Sequence, residues 1–293
     1  MYNKSVRISD FGDSDDIDTM AKYKALSIRT AMAMQYTNTL FDKTEKLLAC
    51  GTYLGYAVSD ERVVAANFCR ERLCPMCQKR KSLKQYANSI RLSEELQKDF
   101  VFLHCVLTVR NCEATSLSDT VDLLFKGSRS LFNNKRVQQG WKGELRALEV
   151  TYNNKTRLFH PHLHCLVAVR PSYFTSRYYL SVESVRNLWQ DSLKVEYLPQ
   201  VHISKCDENG FAEISKYCLK PLDLQLSVAE HAEVLDFLNM ALKGRRLLQS
   251  YGVIKDAAAR LRLSDDIENE SGFVDGVESY TFDFSLSKYT KSG

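Results

Sequence analysis

The chain has 293 residues, 44% hydrophobic and 26% charged, with a formal net charge of +4. This balance is ordinary for a soluble globular protein, and the whole-chain charge says little about partners. No run approaches the roughly 20 apolar residues of a membrane span, and the polar, acidic start lacks the apolar centre of a secretory signal. The expected compartment is therefore the cytoplasm, and no membrane partner is expected.

In a reducing compartment, nine cysteines are not a disulfide framework. An odd count, with three cysteines between positions 69 and 77, points to metal instead. Charge is also unevenly spread. Arg70, Arg72, Lys79, Arg80, Lys81 and Lys84 face a single acid, Glu71, over residues 69–84. Such a cluster is either a solvated helix face or a patch for DNA phosphates. Residues 264–293 hold seven acids against two bases and are expected to be loosely ordered at the acidic end.

In chain order, residues 17–40 are rich in Ala, Met and Lys without Gly or Pro, which predicts a helix. It serves either packing or DNA contact. Residues 53–56 and 63–68 read as two short strands around a turn at Ser59 and Asp60. Cys50 precedes them, and Cys69, Cys74 and Cys77 follow as C-x4-C-P-x-C. Zinc takes four soft ligands in a tetrahedron, and close cysteines on a turn stiffened by Pro75 supply them at little loop-closure cost. Cys50, returned by the hairpin, is the natural fourth ligand; the competing reading is four buried free thiols.

An amphipathic helix is predicted over 82–96, then a strand over 101–109 (VFLHCVLTV), a helix near 116–132 and a strand within 142–152. The next run, Leu158 to Val169, places His160, His162 and His164 at two-residue spacing between apolar neighbours. On a strand the three imidazoles share one face. If the turn between these two strands is centred on Lys155 and Thr156, partner numbers sum to 311, and Glu149 lies opposite His162 on the same face. Two histidines and a carboxylate can hold a divalent ion with positions open for substrate. His160 is read as a polar residue at the start of the strand, outside that set, and His104 as structural.

Residues 172–193 read as mostly helical, 197–204 as a strand, 211–219 as a helix, and 228–261 as one or two helices with a break near Tyr251 and Gly252. On the helix over 211–219, Glu213, Lys216, Tyr217 and Lys220 share one face. A lysine beside a tyrosine lowers the cost of phenolate, and a glutamate one turn away can take a proton from it or from water. The element order suits an α+β fold: an antiparallel sheet with helices packed on one face, a small zinc-knuckle element and C-terminal helices. The expected regions are a helical N-terminal part with the knuckle (1–98), a catalytic core (99–226) and a C-terminal helical part with an acidic tail (227–293).

Taken together, these residues resemble the HUH endonucleases, and most closely the single-tyrosine rolling-circle replication initiators of small plasmids. The resemblance rests on FLHCVLTVRN (102–111), on EVTYN from Glu149, on His162-Leu163-His164, on Tyr217-Cys218-Leu219-Lys220 as Y-x-x-K, on the cysteine knuckle, and on LKGRRLLQSYG (242–252). It implies a ferredoxin- or RRM-like core and an enzyme that nicks one DNA strand at a plasmid origin, presented as a single strand or hairpin. Tyr217 would attack the phosphate and keep the 5′ end, freeing a 3′-OH primer. His162, His164 and Glu149 would hold Mg²⁺ or Mn²⁺, and Lys220 would position the metal or the phenolate. Glu213, where some relatives carry a second tyrosine, would activate water for termination. Host helicase and polymerase are the implied partners. Competing readings are a single-strand transposase of the same superfamily, a non-catalytic zinc-containing DNA-binding regulator, and a metal-dependent hydrolase acting on a small substrate.

Overall fold

The computed structural model describes residues 16–206, 226–264 and 276–292. Its centre is a long hairpin whose turn is written into Asn153. The Asn153 side-chain oxygen accepts from the backbone N–H groups of Lys155 (3.0 Å) and Thr156 (3.1 Å), and Arg157 takes the left-handed conformation that reverses the chain. The two arms are β4 (Trp141–Asn153) and β5 (Leu158–Val169), paired antiparallel in one register from Asn153↔Leu158 to Gly143↔Ala168.

The remaining strands of this sheet are β3 (Val101–Thr108), β6 (Val201–Lys205) and β7 (Leu248–Tyr251), in the order β6-β3-β5-β4-β7, all antiparallel. Side-chain alternation divides it into two faces. One carries Leu163, Cys165 and Val167 of β5 with Arg146 of β4 and packs on α4 (Leu117–Asn133) and α6 (Val182–Leu193). Arg146 donates to Ser128 Oγ of α4 at 2.7 Å, and the Trp189 indole of α6 donates to the Thr108 carbonyl at 2.8 Å. This is the expected helical layer. The opposite face gains a partial second layer. Phe102, Leu145, Ala147, Leu166 and Ala168 form a core with Leu92 and Leu96 of α3 (Pro75–Leu96) and Ile254 and Ala257 of α8 (Gly252–Arg260). These apolar residues occupy one end of the face; the other end of the same strands carries the histidines.

A second antiparallel sheet has the order β2-β1-β8-β9. It joins β1 (Tyr53–Ala57) and β2 (Arg62–Ala66) to β8 (Val277–Asp283) and β9 (Lys288–Lys291). With it go α1 (Ile17–Met34), capped by Asp16, which accepts from Thr19 N–H at 2.6 Å, and α2 (Thr44–Ala49). Two further helices are α5 (Lys135–Gly140) and α7 (Val228–Leu242). The described residues cluster into two units: 16–87, 226–236 and 276–292 with the four-stranded sheet, and 88–206 and 237–264 with the five-stranded one. No described helix is long and apolar enough to cross a membrane.

Four elements differ from the sequence reading. The helix expected from 82 begins at Pro75, whose fixed φ and missing N–H suit a first helical turn. The helix expected over most of 172–193 is a 3₁₀ turn at Pro171–Thr175 followed by α6. Residues 228–261 hold a strand between two helices. Gly244 at φ +71° ends α7, and residues 248–251 then pair with the free edge of β4. Past the acidic stretch, residues 277–291 form the β8–β9 hairpin, with Phe282 and Tyr289 buried. The expected turn and helix over 207–219 lie outside the described residues.

Candidate functional site

The 153–158 turn fixes which side chains meet. Its register sets Glu149 opposite His162 and Ala147 opposite His164, so the carboxylate and both imidazoles lie on one face. All three are buried. Glu149 Oε2 lies 3.1 Å from His162 Nε2 and 2.9 Å from His164 Nε2, and one ligand atom from each residue fits within 4.8 Å of the others.

The far nitrogens decide what these contacts mean. His162 Nδ1 faces the His160 carbonyl oxygen at 3.0 Å. A carbonyl only accepts, so Nδ1 carries the proton, and a neutral ring then turns a lone pair on Nε2 toward Glu149. Two acceptors at 3.1 Å in a buried site repel unless a proton or cation stands between them. Two imidazole nitrogens and a carboxylate suit a divalent ion, so the donor set fits the expected cation.

His160 stands apart from this group. Its Nδ1 is 2.6 Å from Asn111 Oδ1, and its ring centroid is 4.7 Å from that of His162. Burial, above all, holds its pKa below the ordinary histidine value. Its contribution to the group is the backbone carbonyl that orients His162. His104, read from sequence as structural, is a neighbour the reading missed. Its Nε2 lies 3.1 Å from His164 Nδ1. The available signal was its shared parity with Thr108, which pairs with His162, but this became informative only once β3 was known to lie beside β5.

The cysteine cluster is built on the ends of two helices. Cys50 follows α2. Gly51, at φ +65°, then turns the chain into β1 where a Cβ would collide with the Met76 side chain. Cys74 precedes α3, and Cys77 lies in its first turn. The sulfurs approach at 3.6 Å (Cys50–Cys77), 3.6 Å (Cys50–Cys74) and 3.7 Å (Cys69–Cys77). Four sulfurs about 2.3 Å from a tetrahedral centre are about 3.8 Å apart, so the spacing fits a single zinc ion and is far too long for disulfides. All four sulfurs lie within 4.8 Å of one another.

The surroundings favour negative charge at Cys74, while hydrogen bonding within the cluster pushes the Cys50 and Cys77 thiols up. Cys69 N–H donates to Cys50 Sγ (3.3 Å) and Arg70 N–H to Cys77 Sγ (3.2 Å), while Ser27 Oγ is 3.2 Å from Cys74 Sγ. Hydrogen bonds from Cys50, then Cys69 and Cys77, hold the Cys74 thiol far below its ordinary pKa. The fully buried Lys24 ammonium donates to the carbonyls of Leu48 and Cys50.

The basic cluster divides. Lys79 is buried with its ammonium 5.4 Å from the Tyr23 ring, and Arg80 donates to the Val63 carbonyl at 2.9 Å, so both contribute to packing. Arg70 and Arg72 are exposed; Lys81 and Lys84 are half-buried.

A family model described as a replication protein matches residues 60–285. The chain belongs to this replication-protein family. Its relatives include the "Protein rep" of Streptococcus pneumoniae serotype 2 (strain D39 / NCTC 7466), 33% identical over 92% of this chain and 86% of that protein. A "Protein rep" of a Bacillus species is 32% identical over 76% of this chain and 82% of its own. One of Lactiplantibacillus plantarum is 30% identical over 92% and 91%. No solved structure matches. The family match spans the cysteine cluster from Cys69 onward, the Glu149–His162–His164 group and the segment with Glu213, Tyr217 and Lys220, which lies outside the described residues.

Proposed function

We propose that this replication-family protein initiates rolling-circle replication of a plasmid by binding its origin and nicking one strand. The observation that carries the reading is the convergence of Glu149, His162 and His164, with the outer nitrogen of His162 held by the His160 carbonyl and its inner one facing the carboxylate. Family membership and relatives named as Rep proteins support it.

In this reading Glu149, His162 and His164 hold Mg²⁺ or Mn²⁺. When bound, such an ion polarises the scissile phosphate and offsets charge that develops on it. Tyr217 is the nucleophile. Its phenolic oxygen bonds to phosphorus, the P–O3′ bond breaks, and the leaving 3′ oxygen takes up a proton and becomes the primer end. Lys220, three residues on in the sequence, lowers the cost of the phenolate. Glu213 takes a proton from water at termination, so that the second cleavage is hydrolysed. Cys50, Cys69, Cys74 and Cys77 hold Zn²⁺ as a scaffold, and Arg70, Arg72, Lys81 and Lys84 contact DNA phosphates.

The test uses supercoiled DNA carrying the origin, with Mn²⁺. The expected product is a nicked circle with protein joined to the 5′ end, and Tyr217→Phe abolishes it. An adduct that survives Tyr217→Phe removes Tyr217 from its role. Intact DNA with the wild-type chain would overturn the nicking reading.

A further inference from the structure

We propose that His104 is a positioning residue for the metal site: it accepts the Nδ1–H of His164 and thereby fixes the His164 Nε2 lone pair toward Glu149. The inference rests on the reading that Glu149, His162 and His164 hold a divalent cation.

A neutral imidazole has one N–H and one lone pair, and only the lone-pair nitrogen can ligate. His162 and His164 solve this requirement differently. A carbonyl fixes the tautomer of His162 outright. His164 has another imidazole on its outer side, His104, with Nε2 at 3.1 Å from His164 Nδ1. The rings are within 7° of parallel and their centroids are 5.3 Å apart. With facing nitrogens 3.1 Å apart, that separation is close to the N···N distance plus two ring radii. The rings therefore lie edge to edge in nearly one plane, the geometry of a hydrogen bond rather than a face-to-face stack. For His164 to ligate, its proton must sit on Nδ1, and His104 must offer Nε2 as acceptor and carry its own proton on Nδ1.

The placement is rigid. β3 is paired on both sides, His104↔Leu166 with β5 and His104↔Ser204 with β6. His104 thus reaches His164 diagonally, since the direct partner of His164 is Val106. The His104–His164 pair lies away from Glu149, because His164 turns its other nitrogen, Nε2, to the carboxylate at 2.9 Å. An acceptor there orients the ring and raises the basicity of the ligating nitrogen; removing such partners costs about 10- to 100-fold in metal affinity.

The experiment compares the full chain with His104→Phe, His104→Gln and His164→Ala. Mn²⁺ binding is read from the loss of the free-ion spin-resonance signal, and folding from circular dichroism and zinc content. The Mg²⁺-saturated protein, labelled with ¹⁵N-histidine, reports the His164 Nδ1–H resonance by NMR. The wild type is expected to show that resonance shifted downfield by its hydrogen bond. His104→Phe should weaken Mn²⁺ binding about 10- to 100-fold and lose the downfield shift. His104→Gln, whose amide oxygen can accept the same proton, should restore most of both. Unchanged binding in His104→Phe while His164→Ala loses the ion overturns the positioning role and leaves the metal site standing. Wild-type binding in His164→Ala overturns the metal site and this inference with it. If His104→Phe does not fold, His104→Gln decides: a folded variant that lacks the downfield resonance and binds Mn²⁺ weakly overturns the hydrogen-bond role.

Discussion

Two glutamates on β4 show how far one residue's parity decides its chemistry. Glu149 shares its face with the histidines, whereas Glu144 shares the opposite face with Arg146, which reaches Ser128 of α4. Glu144 is almost fully buried, and its Oε2 has no hydrogen-bond partner among the described residues. Burial drives its pKa well above the ordinary carboxyl value, and Arg146 offsets this only in part. The native state therefore keeps a proton that the unfolded chain releases above about pH 4.5. The corresponding stability is full below that pH and is lost as pH rises toward the native value. Glu144→Gln removes the ionisation and should stabilise the protein by about 1–3 kcal/mol at pH 8 relative to wild type. It should have a much smaller effect at pH 4. Urea unfolding of both proteins at the two pH values measures the difference, and an identical pH slope for wild type and variant would contradict it. The sequence made the parity of Glu149 readable because a turn and a row of histidines flanked it. Nothing local distinguished Glu144, whose cost depends on the burial of that face by the rest of the fold.

At the scale of elements, legibility followed the range of the pairing that made each one. The β4–β5 register was readable because its turn is closed by its own Asn153, and the 311 pairing sum runs through to Gly143↔Ala168. The cysteine knuckle was readable from spacing, including Cys50, because the β1–β2 hairpin between Cys50 and Cys69 is local. β7 and β8 were not readable, since each is completed by a partner more than a hundred residues away. In β8 the sequence VESYTFD does alternate, but the acid-rich composition around it masked the period. The start of α3 was hidden for a related reason: residues 75–81 looked like part of the knuckle, and they are also the first helical turns. If the four thiols hold zinc, one ion couples α2, β1 and α3. Purified protein should then contain about one zinc per chain. Cys50→Ser should lose it and roughly 4 kcal/mol of stability. Hydrogen exchange should speed up in residues 44–57 and 69–84 while β3 and β5 keep their protection. Full zinc content in Cys50→Ser would remove Cys50 from the ligand set.

At the scale of the whole molecule, the two candidate sites belong to different units, and the units differ in how the chain builds them. Glu149, His162, His164 and His104 all come from one continuous stretch, 101–169. The unit with the cysteines is assembled from three separated segments, and its sheet is finished by residues 277–291. There the last strands are structural partners of the first ones. β8 pairs along the whole of β1, the Tyr289 hydroxyl donates to the Gly51 carbonyl next to Cys50, and Phe282 and Tyr289 are buried. Lys24, buried beside the cysteines, has its ammonium 5.8 Å from the Phe282 ring. Burying Phe282 and Tyr289 contributes about 1.5–3 kcal/mol each, and their loss would also bare the edge of β1. A chain stopped after Ser264 should therefore lose exchange protection across β1, β2 and α1 and release zinc more readily. Because every residue of the histidine group is retained, the shortened chain should still bind Mn²⁺ with near wild-type affinity. Hydrogen exchange and Mn²⁺ titration on the same preparation test both halves. If β1 stays protected, the C-terminal hairpin is dispensable; if Mn²⁺ binding falls with it, the histidine site depends on more than the unit that contains it.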